Sequence, residues 1–184
     1  MKKLGLALLF TFLLQGCLAG AFVAGSAATG GVVTDPRSLG TIKTDEQINF
    51  KVNRKLVNDP VISAVSYNRV VLLTGQAYDE ELRHRAEEYA QAVPNVKRVF
   101  NRITLGIPTT AYRRAKDIAI TSSVKTRMFA DSRLKSNNFK IVTENGVVYI
   151  LGLATKKQAN IAVAIARKVS GVQQVVKLIE YKEE

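Results

Sequence analysis

Residues 139–152 read FKIVTENGVVYILG, and residues 62–75 read ISAVSYNRVVLLTG. Each stretch is a pair of β-branched, apolar runs around a two-residue turn. Asn145-Gly146 is the strongest short-range hairpin signal, because both residues tolerate positive φ. Asn68-Arg69 stands at the same place in the other stretch. The predicted strand pairs are Phe139–Thr143 with Val147–Leu151 and Ile62–Tyr67 with Val70–Thr74.

Working outward, the match extends well beyond the hairpins. Upstream, Ile48, Val52 and Leu56 recur as Ile120, Val124 and Met128, and the i, i+4, i+8 spacing marks one face of a helix. The second such helix is predicted over Ile118–Phe129. Downstream, Ala86 and Ala90 recur as Ala162 and Ala166 within predicted helices Glu80–Ala92 and Lys157–Val169. Val93, Val96 and Val99 recur as Val169, Val172 and Val175. Pro94-Asn95 and Ser170-Gly171 stop the helices, and last strands Val96–Leu105 and Val172–Tyr181 follow.

The chain therefore carries one order of elements twice: helix, strand, strand, helix, strand. A two-stranded hairpin alone is barely stable, so the last strand should lie beside an earlier one, with both helices on one face of the sheet. The expected fold class is α+β, two tandem αββαβ units at 44–105 and 113–184. A linker at 106–112 contains Gly106-Ile107-Pro108.

The N-terminus reads differently. Lys2 and Lys3 precede an almost unbroken apolar run from Leu4 to Leu14, too short to span a bilayer and suited to a secretory signal. It ends Leu14-Gln15-Gly16-Cys17, which resembles the bacterial lipobox. That resemblance implies a signal peptide over 1–16, cleavage before Cys17, and lipid on its thiol. Cys17 is the only cysteine, so no intramolecular disulfide is possible. Leu18 follows in place of the Asp that retains enteric lipoproteins in the inner membrane, which points to the outer membrane and its periplasmic face. Residues 17–43 are expected to form a flexible tether of small residues, with turn signals in TDPRSLGT, residues 34–41.

Net charge is +12 and unevenly spread. Residues 44–105 carry 9 Lys/Arg against 8 Asp/Glu, whereas 106–184 carry 14 against 6. Such asymmetry implies an anionic partner for the second unit. An exported, lipid-anchored chain meets little nucleic acid, so anionic phospholipid (phosphatidylglycerol or cardiolipin) is the expected ligand. The candidate contact set is Arg113, Arg114, Lys116, Ile118, Lys125, Arg127, Phe129, Arg133 and Lys135, with Lys140 nearby. With Ile120, Val124 and Met128 facing the core, Arg114, Ile118, Lys125 and Phe129 fall largely on another side. Ile118 and Phe129 either face lipid or pack against the rest of the fold. A second reading is an adaptor whose basic face meets an acidic envelope protein, and the first unit either docks the second or recruits such a partner.

Motifs for catalysis are not found. The sequence holds no His-Glu-x-x-His, Cys-x-x-Cys, Gly-x-Ser-x-Gly or phosphate-binding Gly-x-x-x-x-Gly-Lys. His84 lies among charged residues of a polar helix and has no second His or Cys beside it. No enzyme, cofactor or metal is expected.

The markers VVLLTG with NVKRV, and VVYILG with SGVQQV, resemble those of BON domains. Together with LLQGC and TDPRSLGT they resemble the dual BON-domain outer-membrane lipoprotein (DolP) group of Gram-negative bacteria. The resemblance implies a non-enzymatic envelope protein that attaches to phospholipid and supports the outer-membrane barrier. It also places an aromatic residue near the start of the second unit's first helix. Here that stretch is AKDIAIT, with Tyr112 upstream.

Overall fold

Both hairpins turn on two residues of positive φ, Asn68 (52°) with Arg69 (65°) and Asn145 (49°) with Gly146 (76°). This twist suits a two-residue connection between right-twisted strands. The computed structural model describes residues 35–57 and 61–183. The expected signal peptide, Cys17 and the tether over 17–34 lie outside the described residues.

The first unit runs α1 (Leu39–Lys55), β1 (Ile62–Tyr67), β2 (Val70–Ala77), α2 (Glu80–Gln91), β3 (Arg98–Asn101) and β4 (Thr104–Leu105). The second runs α3 (Ala111–Ala130), a 3₁₀ turn (Ser136–Asn138), β5 (Phe139–Glu144), β6 (Val147–Ala154), α4 (Lys156–Arg167) and β7 (Gln174–Tyr181). In each unit the hairpin is antiparallel and the last strand returns parallel to the hairpin's second strand. The result is a three-stranded order in each unit, β1-β2-β3 and β5-β6-β7, as the repeat predicts, with β4 a second short pairing on β2.

Three expectations change. Residues 35–43 are no tether, because α1 begins at Leu39 with the Ser38 side chain accepting from the Thr41 N–H. Just before it, Arg37 grips Asp35 through Nε (3.0 Å) and Nη2 (2.7 Å), reaches Asp45 through Nη1 (2.7 Å), and lies 4.1 Å over the Tyr67 ring. Next, α3 starts at Ala111, inside the expected linker, because Thr110 caps it by accepting from the Arg113 N–H. Finally, the last strand of the first unit is interrupted: Asn101 turns its amide onto the Arg83 carbonyl and accepts from the Ile103 N–H, and although Arg102 still donates to the Leu73 carbonyl (2.9 Å), regular pairing on β2 resumes at Thr104.

Strand alternation sends side chains to two faces. Val71 and Leu73 join Ile48, Val52, Ala86 and Ala90 in one core, and Val148 and Ile150 join Ile120, Val124, Met128 and Ala162 in the other. Residues of opposite parity form a third cluster shared by both units: Tyr67 and Leu72 with Tyr149, Leu151 and Leu178. The helix-free faces of the two sheets are thus packed together, and the helices lie outside. Burying five large side chains contributes on the order of 10 kcal/mol as an upper estimate. That exceeds the seam's polar contacts, Asn68 to Glu180 (2.7 Å) and Gln76 to Glu144 (2.8 Å), at about 1 kcal/mol each.

Burial raises the Glu144 pKa, against the lowering effect of its Gln76 hydrogen bond, and Asp117 raises it further. A raised folded-state value favours the protonated form. Glu144 therefore contributes to stability below its unfolded value, and that contribution is lost as pH rises through the folded value. Glu144→Gln is expected to raise Tm slightly at pH 7 and to leave it unchanged at pH 4. Thermal unfolding at both pH values checks this, and an equal shift at both would contradict it.

Candidate functional site

The first helix of each unit is fixed by a buried carboxylate that precedes its core stripe. Asp117 accepts from the N–H groups of Asn145 (2.9 Å) and Gly146 (2.9 Å), which ties α3 to the β5–β6 turn. Asp45 does the same in the first unit, accepting from Asn68 (2.8 Å), Arg69 (2.7 Å) and the Ser66 hydroxyl (2.6 Å). This explains how Arg69 holds a positive φ without being glycine. Sequence reasoning counted both acids only as charges. The signal was there, since each precedes the first core isoleucine by three positions in both copies of the repeat.

With Asp117, Ile120, Val124 and Met128 buried, the opposite side of α3 is set by its 100° periodicity. That outward pole carries Ala115, Ala119, Ser122, Ser123 and Thr126, all exposed and none charged. The cations stand on its two flanks. On one flank are Arg114 and Lys125 with Ile118 and Phe129, which are 67% and 73% exposed; neither apolar side chain packs into the fold. On the other are Arg113, Lys116 and Arg127, with the Lys116 ammonium 4.7 Å from the centre of the Tyr112 ring. Tyr112, 70% exposed, is the aromatic residue of this helix's first turn. The equivalent pole of α1 holds Lys43, Gln47, Phe50, Lys51 and Arg54, so in the first unit three cations stand on the pole itself rather than on its flanks.

Two shallow cavities follow the first flank. One of about 380 Å³ is lined by Arg114, Ile118, Lys125, Thr143 and Glu144, and one of about 240 Å³ by Lys125, Phe129, Phe139 and Ile141. Arg114 also donates to the Thr109 carbonyl. Lys140, on β5, has its pKa lowered by burial first, then by Lys125 and Arg37, so these three cations share one neighbourhood.

The remaining expected residues stand apart. Arg133 is closed on Asp131 by contacts of 2.9 and 2.6 Å, which hold the Asp131 carboxyl down near 2. Its charge is locally neutralised. Lys135 is exposed in the segment after α3, away from the helix's pole. His84 is exposed and meets Glu88 at 3.3 Å. Among the described residues, no helix is long and apolar enough to cross a membrane.

Comparison with known proteins agrees with the repeat. The BON domain profile matches residues 44–106 and 116–183, starting points separated by the same 72-residue offset as the core isoleucines. The chain is 40% identical over 187 residues to the outer membrane lipoprotein DolP of Haemophilus influenzae, covering 98% of this chain and 96% of that one. It is 34% identical to a 21 kDa hemolysin of Actinobacillus pleuropneumoniae, covering 80% and 79% of the two chains. It is 28% identical to the osmotically-inducible protein Y of Escherichia coli, covering 74% and 72%. With two matched domains and near full-length similarity to such a relative, the chain belongs to the BON-domain family as a two-domain member of DolP type.

Proposed function

We propose that this chain is a non-enzymatic, lipid-anchored protein of the outer membrane, held at its periplasmic face through Cys17, whose second BON domain binds anionic phospholipid and so supports the integrity of that membrane. One observation carries the reading: α3 presents an uncharged outward pole between two rows of cations, with Ile118, Phe129 and Tyr112 exposed beside them. A helix with this section lies in a membrane interface, its apolar and small residues toward the acyl boundary and its long cations reaching sideways to phosphates. The kinship with an outer membrane lipoprotein supports the location.

The test uses the mature chain, residues 17–184, carrying Cys17→Ser. It is expected to bind phosphatidylglycerol or cardiolipin vesicles, to lose binding as salt rises, and to ignore zwitterionic vesicles. Each cation near an anionic surface contributes about 1 kcal/mol, so Arg114→Ala and Lys125→Ala should each weaken binding about fivefold. Phe129→Ser should weaken it at unchanged charge, with stability shifted by less than about 0.5 kcal/mol because the side chain is exposed. Equal affinity for both vesicle types would sink the proposal.

A further inference from the structure

A sheet edge is a row of unpaired N–H and C=O groups that another strand can join. Of the four edges here, two have side chains of the adjoining helix bonded to the strand and a third is short. On β1, the Asn53 amide donates to the Ala64 carbonyl (2.9 Å) and its oxygen accepts from the Ala64 N–H (3.0 Å), while Asn49 accepts from the Ser66 N–H (2.6 Å). Beside β5, α3 is joined to the strand edge by the Thr121–Thr143 hydroxyl contact of 2.7 Å. The β3 edge is four residues long and ends where Asn101 turns away.

β7 is different. It runs eight residues along β6, and among the described residues no strand or side chain pairs with its outer backbone. Lys182 donates to the Ala154 carbonyl (3.2 Å), which fixes the alternation. Val175, Lys177, Ile179 and Tyr181 then turn their N–H and C=O groups to the open side. This edge borders a cavity of about 440 Å³ against β3, lined by Lys97, Arg98, Phe100, Lys177 and Glu180. Its one acid is already engaged, since Glu180 meets Lys97 at 3.7 Å and accepts from Asn68 at 2.7 Å. Lysine on an open edge discourages pairing with a second copy, because like charges meet. It favours a strand that brings carboxylates.

We propose that the open edge of β7 is a docking site for an extended, acid-rich segment of a partner protein, which joins the second sheet as a fourth strand. Backbone hydrogen bonds to Val175, Lys177 and Ile179 supply the pairing, and Lys97, Arg98 and Lys177 select acidic side chains. This site is separate from the lipid-facing pole of α3 and stands whether or not that pole binds phospholipid.

The probe is an eight-residue capped peptide of alternating valine and glutamate, added to the mature chain carrying Cys17→Ser. Binding should protect the Val175, Lys177 and Ile179 amides from hydrogen exchange. Arg98→Glu with Lys177→Glu should weaken it tenfold or more, and Lys125→Glu should leave it unchanged. The same peptide N-methylated at alternate residues along the pairing edge, and a valine–lysine peptide, should not bind. Undiminished binding of the N-methylated peptide would show attraction without strand addition and overturn the proposal. So would protection confined to other strands, or an unchanged affinity in the double variant.

Discussion

Gly75→Ala is expected to destabilise the first BON domain by roughly 3–5 kcal/mol, enough to leave up to about half of it unfolded if the chain's stability lies at the low end of the usual 5–15 kcal/mol. A Cβ built on Gly75 would lie 1.9 Å from the Val61 carbonyl oxygen and 2.9 Å from its carbon, so backbone would have to move. The residue's φ of 118° adds a conformation that side-chain-bearing residues rarely adopt. Overpacking and backbone strain each cost about 1–3 kcal/mol. The matching residue of the repeat provides the control. Gly152 has no such φ, and a Cβ there would meet the Asn138 oxygen and the Phe139 ring at 2.8 Å. Gly152→Ala should therefore cost less, since its φ is ordinary and the approach to the backbone oxygen is 2.8 Å rather than 1.9 Å. Urea unfolding followed by tyrosine fluorescence and amide exchange would rank the two, and equal midpoints would refute the argument. This also explains why the strands VVLLTG and VVYILG both end in glycine: a neighbouring chain passes too close for a side chain.

Asp45→Ala should cost about 3–5 kcal/mol, the range for removing one partner of a buried ion pair. Four donors converge on that carboxylate: Arg37 Nη1, the Ser66 hydroxyl and two turn amides, at 2.6 to 2.8 Å. Its loss would leave Arg37 Nη1, the Ser66 hydroxyl and two backbone N–H groups seeking water, and would remove what holds Arg69 at positive φ. Asp117→Ala removes only two amide contacts and no cation, so about 2 kcal/mol is expected. Denaturant midpoints should fall in that order. A loss at Asp117 equal to that at Asp45 would mean that Arg37 contributes nothing.

The hairpins, the helices and their doubling were legible because periods of two and of 3.6 residues are local properties of the chain. Ile48, Val52, Ile120 and Val124 fall in the cores because their spacing leaves little alternative. The seam between the sheets was harder to foresee. Yet VVLL and VVYIL are apolar at both parities, as strands buried on two faces are. The start of α1 was obscured by composition. TDPRS has the look of a loop, and its order comes from Arg37 contacting Asp45 and Tyr67, partners that sequence distance conceals. The candidate face was legible as a set of charges and, in part, as a shape. Helical spacing alone put Arg114 and Lys125 on one side with Ile118 and Phe129; the burial of Asp117 shows that Arg113 and Lys116 form a second flank with an uncharged pole between, and only the contact with Asp131 removes Arg133 from the set.

On the proposed attachment through Cys17, the Arg37 clip decides where the molecule hangs. Asp35 lies eighteen positions after Cys17, so the fold can stray no more than about 60 Å from an anchor on that cysteine. The suspension point is not an end of the body. Arg37 rests on Tyr67, whose hydroxyl reaches the Asn137 carbonyl of the second domain (3.4 Å), and its charge is felt at Lys140. Tension along the leash would arrive at the seam between the domains, beside Lys125 and the Phe129 end of α3. Under that proposal, a body suspended there would keep its uncharged helical pole toward the bilayer, whereas loss of the Arg37 clip would move the point of attachment to α1 at Leu39 and release that orientation.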